Sequence, residues 1–423
     1  MFKCRLCKGK KYFKFLDLGL QPPSDQFLTL NENSQPVTYY PLEVYNCENC
    51  NFNQLSYVVD PKILYQQNYP YESSQTKAGK NHYFDFAKSV QQEYNLLKED
   101  LVIDIGSNVG TLLDGFKKCG TKILGIEPAK NISLIALKNK IPTLNCFFNS
   151  FAVNKVLSYG KKPKIITATN VFAHVDNLDY FVKNISKILD RKKGVFIIES
   201  PHFYHILKNL EYDTIYHEHL SYLTIKPLVP FFKKFNMEII KVEKKDIHGG
   251  SVRIFISFKK NFVIHHSVNK MIEFEEKKNI NSKKTLLFFA KKVKNNRLKL
   301  VTVLNSLIRK GKKIIAVSAP AKGMTLLNYC KIDLDYLDFA TEKSKIKQGL
   351  FTPGTRLPIY PDSKILKFNP DYALLLAWNF SKEIMNNNIK FLKNGGKFII
   401  PIPNVKIIGY KELNEKNKIQ SKF

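Results

Sequence analysis

Short apolar runs alternate with amphipathic, helix-like segments along most of the chain. Between residues 76 and 245 the runs have the length of strands, and the segments between them repeat apolar positions with a helical period. This alternation is typical of an α/β fold with a mainly parallel sheet and helices on both faces. The predicted strands are Val102–Ile105, Lys122–Ile126, Ile165–Ala168 and Val195–Glu199.

A second α/β set occupies the last third of the chain. A strand-like run, Val252–Phe258, precedes a lysine-rich helical stretch that extends from about Val268 to Arg309. The two α/β sets share a general plan but no obvious sequence repeat, so they are predicted to be separate domains. The predicted strands of the second set are Lys313–Ser318, Tyr336–Ala340, Ala373–Ala377 and Lys397–Ile400.

The N-terminal segment has a different character, with cysteines, short apolar runs and no long amphipathic helix. A chain of 423 residues has room for two or three domains. We predict three, with boundaries at 1–75, 76–247 and 248–423.

Charge and hydropathy narrow the possible partners. The chain has 67 Lys and Arg against 36 Asp and Glu, a formal charge of +31. The lysines are spread along the chain rather than clustered, so we expect no specific nucleic-acid partner. An anionic substrate such as a nucleotide diphosphate is compatible with the charge. No apolar run reaches the roughly 20 residues that span a bilayer, and the start of the chain lacks a secretory signal. We therefore expect a cytoplasmic protein without a membrane partner. The sequence leaves the oligomeric state open between a monomer and a dimer.

Two Cys-x-x-Cys pairs lie in the N-terminal segment. Each pair bends the chain so that both thiolates face one ion, and four thiolates complete a tetrahedral zinc shell. A full shell leaves no open position for catalysis, so the zinc is predicted to be structural. A zinc-ribbon module for nucleic acid is the competing use of such a unit. The predicted ligands are Cys4, Cys7, Cys47 and Cys50.

The segment 101–128 contains the clearest cofactor motif. An apolar strand is followed by a glycine turn, a helix, a second strand and an acid, which is how a doubly wound sheet holds an adenosine-containing cofactor. The turn has the form Asp-x-Gly-x-x-x-Gly and lacks the second glycine that approaches a pyrophosphate, so S-adenosylmethionine is favoured over a dinucleotide. The strand-end acid can accept both ribose hydroxyls. The predicted cofactor-binding residues of this segment are Asp104, Gly106, Asn108, Gly110 and Glu127.

The motifs together resemble those of the sugar C-methyltransferases, which add a methyl branch beside a keto group on nucleotide-linked deoxysugars. The resemblance covers nearly the whole chain and implies a central Rossmann-like methyltransferase sheet, a small zinc-binding unit and a second Rossmann-like domain. The motifs that carry it are Asp104–Thr111, Glu127-Pro128, Asn170–His174, Glu199–Pro201, Tyr216–Tyr222, His248–Arg253, Ala319–Gly323, Pro353–Thr355 and Leu376–Phe380.

The resemblance also implies an active site. The family's Tyr-x-Glu-His pattern falls on Tyr216, Glu218 and His219, and its strand-end histidine falls on His174. An N-terminal tyrosine of the family's active site matches Tyr71. Tyr69, two residues earlier, is the alternative match.

Carbon methylation beside a ketone needs a base and a group that holds the enolate oxygen. His219 is the candidate base because imidazole titrates near neutral pH, and Asn170 is expected to line the methionine end of the cofactor. Two other interpretations of the 216–222 segment remain open. Its aromatic residues can pack as a polar loop, and His217-x-His219 can ligate a metal, although a third ligand is not evident.

A strand that runs into a small-residue loop before a helix suits a diphosphate in the C-terminal domain. The predicted substrate-binding residues are Lys322, Gly323 and Thr355. A tight strand–helix connection, with a domain that only frames the cleft, is the alternative. For the whole chain, the rival functions are an O- or N-methyltransferase and a zinc-ribbon methyltransferase that binds nucleic acid.

Overall fold

The computed structural model describes residues 3–65, 69–73, 77–247 and 249–420. The predicted motif residue His248 lies outside them. The chain forms two compact units, each built from discontinuous segments. The first unit contains residues 3–13, 45–205 and 219–282, and the second contains residues 14–44, 206–218 and 283–420, within the described ranges.

The N-terminal part of the chain contains strands and short helices, and its described residues form no long helix, as its sequence predicts. Its helices and strands are β1 (Tyr12–Gln21), α1 (Leu30–Asn33), β2 (Tyr40–Cys47), β3 (Asn53–Leu55) and α2 (Pro61–Tyr65).

The first unit also holds a larger sheet. The elements that follow α2 are α3 (Lys77–Glu93), β4 (Leu101–Ile105), α4 (Thr111–Lys118), β5 (Lys122–Ile126), α5 (Lys130–Lys138), β6 (Thr143–Leu144), α6 (Ser150–Ser158), β7 (Ile165–Thr169), α7 (Leu178–Ile188), β8 (Val195–Pro201), α8 (Phe203–Asn209), β9 (Ser221–Tyr222), α9 (Ile225–Lys233), β10 (Met237–Lys245), β11 (Ser251–Phe258) and α10 (Ser267–Lys277). The larger sheet has the order β10-β11-β8-β7-β4-β5-β6, and β9 pairs with β3 outside it.

The seven-stranded sheet is doubly wound. Strands β4 to β8 are parallel, with β4 between β5 and β7, and the β10–β11 hairpin is antiparallel at one edge. The strand order reverses between β4 and β7, so the carboxyl ends of these strands form the crevice where such sheets bind ligands. All five residues of β4 are buried, as expected for a central parallel strand with helices on both faces.

The second unit contains a further doubly wound sheet with the order β14-β13-β12-β15-β16-β17. Its pairs are parallel except β16–β17, and the order reverses between β12 and β15. Its elements are α11 (Lys283–Arg309), β12 (Ile314–Val317), α12 (Ala321–Cys330), β13 (Ala340–Thr341), β14 (Ile359–Tyr360), α13 (Lys364–Phe368), β15 (Tyr372–Leu375), α14 (Ser381–Asn387), α15 (Ile389–Lys393), β16 (Lys397–Ile400), β17 (Lys406–Ile408) and α16 (Tyr410–Gln420).

Two local predictions were wrong. The strand predicted at Tyr336–Ala340 is reduced to β13, because the Asp333 carbonyl and carboxylate accept backbone amides of the following residues and form a turn. The helical stretch predicted from about Val268 to Arg309 forms two helices, α10 and α11. Asn279 between them has a positive φ of 48°. In the described part of the chain, no helix combines the length and hydropathy needed to span a membrane.

Candidate active site

The glycine turn after β4 has the conformation that its sequence predicts. Gly106 and Gly110 have φ angles of +66° and +84°, and Asn108 between them also has a positive φ of 50°. The Asn108 side chain accepts from the Ser73 amide at 2.8 Å and donates to the Tyr71 carbonyl at 3.1 Å. Asn108 therefore ties the 69–73 segment to the turn, a role that a glycine could not fill.

Glu127 lies at the end of β5, beside this turn. Its carboxylate accepts from the Asn108 amide at 2.9 Å and from the Ala129 amide at 2.8 Å. Burial raises its pKa, although both amides oppose the shift. Each oxygen keeps a free lone pair, so the carboxylate fits the two ribose hydroxyls of S-adenosylmethionine.

Asp104, by contrast, lies beneath the turn. Its side chain is only 4% exposed and accepts from the Thr167 hydroxyl at 2.6 Å. Burial and the nearby Glu127 carboxylate raise the pKa of Asp104 to about 7. This geometry supports the loop from below, and direct contact between Asp104 and the cofactor stays a prediction.

Three buried polar atoms at the same sheet edge have no hydrogen-bond partner among the described residues. They are Ser107 Oγ, Thr169 Oγ1 and Asn170 Oδ1. Asn170 has a φ of +56°, and its amide donates to the Glu199 carbonyl at 2.7 Å, which turns the chain at the end of β7. Because unsatisfied buried polar atoms are costly, this edge fits a polar ligand.

Two predicted catalytic histidines are brought together in the first unit. His174 ends a 3₁₀ turn after β7, and its ring centroid lies 5.0 Å from that of His219. Burial, and then the charge of His219, hold the pKa of His174 well below its ordinary value, so His174 is neutral at pH 7. Tyr65 Oη lies 3.4 Å from His174 Nδ1, and the two rings are nearly parallel. Sequence reasoning missed Tyr65, which is marked only by a tyrosine-rich segment.

The two alternative tyrosines have different surroundings. Tyr71 is 46% exposed, and its carbonyl is held by the cofactor turn. Tyr69 packs against the apolar cluster that contains Ala129, and its backbone exchanges two hydrogen bonds with the Asn131 side chain. The choice of Tyr71 as the active-site tyrosine stays a prediction.

The remaining motif residues belong to the second unit. Tyr216 is half-buried and Glu218 is buried. His217 is buried with its ring centroid 5.9 Å from that of Tyr40, and burial lowers its pKa to about 4. Among the described residues, no group of three potential metal ligands includes a histidine. A metal at His217 and His219 therefore has no structural support.

Lys322 lies at the strand-order reversal of the second sheet, where α12 begins after β12. Its ammonium lies 4.5 Å from the Trp378 ring centroid and donates to Asn379 Oδ1. Burial lowers the pKa of Lys322, raises that of Glu211 to about 7 and raises that of Asp213. Asp213 accepts from Trp378 Nε1 at 2.6 Å. The group called the Lys322 cluster below consists of Lys322, Glu211, Asp213, Trp378 and Asn379.

Gly323 and Thr355 have evident packing roles. A Cβ on Gly323 would lie 2.8 Å from the Leu376 Cβ, so glycine lets α12 approach the end of β15. Thr355 is buried, and its hydroxyl lies 2.8 Å from that of Thr352. Ligand binding by either residue stays a prediction.

The four predicted zinc ligands converge. Their sulfur atoms all lie within 4.8 Å of one another, with Cys4–Cys50 at 3.6 Å and Cys7–Cys47 at 3.5 Å. Zinc–sulfur bonds of about 2.3 Å place tetrahedral sulfur atoms about 3.8 Å apart. The thiols are free of disulfides. The cluster therefore fits a zinc ion with four cysteine ligands.

The doubly wound seven-stranded sheet, its glycine turn and the acid after β5 define an S-adenosylmethionine-dependent methyltransferase. Sequence comparison agrees. Residues 4–65 match a zinc-binding domain, residues 81–242 a methyltransferase domain and residues 246–403 a C-methyltransferase C-terminal domain. The three matched domains follow one another in this order along the chain.

One relative matches nearly the whole chain. The C-methyltransferase NovU of Streptomyces niveus is 28% identical over 407 residues, which are 96% of each chain. A ubiquinone biosynthesis O-methyltransferase of Pelagibacter ubique is 27% identical over 161 residues, 35% of this chain and 65% of the relative. A solved S-adenosylmethionine-dependent methyltransferase from Clostridium acetobutylicum is 14% identical, with a TM-score of 0.35 over 44% of this chain and 93% of its own.

Proposed function

We propose that the chain methylates a carbon next to a ketone on a nucleotide-linked deoxysugar. The observation that carries the proposal is the pair of facing histidines, His174 and His219, at the carboxyl edge where the cofactor turn lies. S-adenosylmethionine supplies an electrophilic methyl group. The protein must then supply the base that makes the substrate carbon nucleophilic.

In the proposed step, His219 takes the proton beside the ketone, and the electron pair of the C–H bond forms an enolate. The enolate carbon forms a bond to the methyl group as the sulfur–methyl bond breaks. His174 is neutral, so it does not repel the imidazolium that forms on His219. Tyr216, Tyr71 and Glu218 are proposed to contact the sugar or its keto oxygen.

The Lys322 cluster is the proposed anchor for the nucleotide diphosphate. It lies at the strand-order reversal of a sheet with the doubly wound 3-2-1-4-5-6 order, where nucleotides bind in such folds. The orphaned Asp213 Oδ1 offers an additional acceptor for a hydroxyl or amide of the nucleotide.

Proton exchange tests the chemical step. In deuterium oxide, the wild type is expected to exchange the proton beside the ketone of a nucleoside-diphosphate keto-deoxysugar, and His219→Ala to lose about 10²–10⁴-fold of that rate. Affinity for S-adenosylhomocysteine should be unchanged. An O- or N-methyltransferase would methylate without any exchange at carbon. Exchange at the wild-type rate in His219→Ala, with methylation lost, would show that another residue is the base.

A further inference from the structure

A buried arginine lies between the first pair of zinc ligands. Arg5 is only 5% exposed, and its neighbours Cys4 and Leu6 belong to the apolar core. Its Nη1 donates to the Leu55 carbonyl at 2.7 Å and to the Leu220 carbonyl at 3.4 Å. Its Nε pairs with Asp176 at 3.1 Å. The guanidinium therefore joins three separate segments of the first unit.

Two of those segments carry the facing histidines. Leu220 follows His219 directly, and Asp176 is two residues after His174. The Leu220 carbonyl also accepts the Leu55 amide at 2.9 Å, at the start of the antiparallel pairing of β3 with β9. The Arg5 side chain, in the Cys4–Cys7 knuckle, thus contacts the backbone next to His219 and the loop that follows His174.

The chemistry of arginine suits this position. A guanidinium has five donors in a rigid plane and stays charged even where burial lowers its pKa, as it does for Arg5. The Asp176 side chain is 55% exposed, so that ion pair alone contributes little. The carbonyl contacts are buried. Removing Arg5 takes the guanidinium donor from the Leu55 carbonyl, whereas the Leu220 carbonyl keeps the Leu55 amide. Lysine has a single nitrogen and cannot make all three contacts.

We propose that Arg5 is a positioning residue through which the metal-binding knuckle sets the geometry of His174 and His219. The four-cysteine site then holds the active site in shape as well as folding the N-terminal segment. The expected effect of Arg5 on the rate of methyl transfer rests on the proposed function. Its expected effect on the positions of the two histidine rings does not.

The test uses the zinc-loaded variants Arg5→Met and Arg5→Lys. Lys8→Met is the matched control, because Lys8 pairs with Asp179 and contacts the Arg5 carbonyl but not Leu220. We expect both Arg5 variants to keep one zinc per chain and wild-type affinity for S-adenosylhomocysteine. The kcat of methyl transfer should fall roughly 10- to 100-fold with little change in KM, since a displacement of about 1 Å can cost that much. Lys8→Met should stay within about twofold of wild type.

Nuclear magnetic resonance of labelled histidine rings provides the second readout. The ring signals of His174 and His219 should move together in both Arg5 variants and stay in place in Lys8→Met. Unmoved signals and an unchanged kcat in zinc-loaded Arg5→Lys would overturn the proposal, even if Arg5→Met failed to fold. If the wild type transferred no methyl group to a keto-sugar, the ring signals would still decide the role of Arg5.

Discussion

At the scale of single residues, Glu127 is the acid after β5 that is predicted to bind the ribose of the cofactor. Its carboxylate is fixed by two backbone amides, one from the glycine turn and one from the start of α5. This arrangement orients the carboxylate before the cofactor arrives, so little conformational entropy is lost on binding. Glu127 thus supports the turn, and its contact with the ribose of the cofactor stays a prediction.

Glu127→Ala is expected to weaken S-adenosylhomocysteine binding by about 1–3 kcal/mol, the loss of charge-assisted hydrogen bonds. Isothermal titration calorimetry measures this change in binding free energy directly. Glu99→Ala is the control, because Glu99 is exposed and pairs with Lys122 at the opposite end of β5. Equal affinity of Glu127→Ala and wild type would place the ribose elsewhere.

The local sequence predicted the cofactor turn because its residue types are those that the backbone conformation of the turn requires. Positive φ angles favour Gly106, Gly110 and Asn108, and these can be recognised without a tertiary structure. Tyr65 and Arg5 could not be predicted in this way. Their partners are 109 and 215 residues away along the chain, so only the folded structure shows what they contact.

At the scale of elements, β8 and β11 share a buried ion pair at the end of the seven-stranded sheet. Arg253 on β11 donates from Nε to Glu199 on β8 at 2.8 Å, and its guanidinium stacks 3.4 Å from the Phe86 ring centroid. The other Glu199 oxygen lies 2.6 Å from His82 Nε2. Burial alone would raise the pKa of Glu199, but His82 and Arg253 hold it below its usual value.

Arg253→Met should destabilise the first unit by about 3–5 kcal/mol, because it removes the arginine from a buried ion pair and leaves Glu199 with His82 alone. The deficit should be larger at pH 8 than at pH 5. Without Arg253, burial raises the pKa of Glu199, and its protonation at lower pH removes the uncompensated charge. Urea unfolding at both pH values measures the effect.

Arg191→Met is the control for this change. Arg191 is exposed and lies over the Phe258 ring without an acidic partner in the described part of the chain. A deficit in Arg253→Met no larger than that of Arg191→Met would show that the buried pair contributes nothing to stability.

Elements with long apolar runs were predicted well, and very short ones were not. The predicted β5 and β16 have the observed bounds, and β4, β7 and β11 differ by one residue. Two-residue strands such as β6 and β9 exist only because a neighbouring strand pairs with them, and no run of two residues signals that.

At the scale of the whole molecule, the units are not contiguous in the sequence. The second unit takes in residues 14–44 and 206–218 besides the C-terminal part of the chain. Periodicity reports on neighbours in sequence, so it cannot show that separated segments fold together. The division into three contiguous domains at 75 and 247 stays a prediction, and the ranges of the matched families are close to it.

The last prediction concerns the metal and the folding of the N-terminal segment. Cys4 and Cys47 are 1% exposed and belong to the apolar core of the first unit, so the cluster is part of that core. In Cys47→Ser, we expect loss of most bound zinc, measured as metal per chain by elemental analysis of protein purified without chelators. Structural zinc contributes roughly 10–16 kcal/mol of apparent binding energy in small domains, so the melting temperature should fall clearly.

The loss of stability in Cys47→Ser should begin in the N-terminal cysteine segment. In Cys47→Ser, the affinity for S-adenosylhomocysteine should change less than the rate of methyl transfer. The reason is that the cofactor turn follows β4 and is not part of the cysteine segment. Cys146→Ser is the control, since Cys146 is half-buried and outside the group of four ligands. Wild-type protein without zinc, or Cys47→Ser with a full zinc complement and an unchanged melting temperature, would rule out the four-cysteine site. A variant that lost zinc but kept full methyl transfer would show that the active site keeps its geometry without the metal, and would contradict the positioning role proposed for the four-cysteine site.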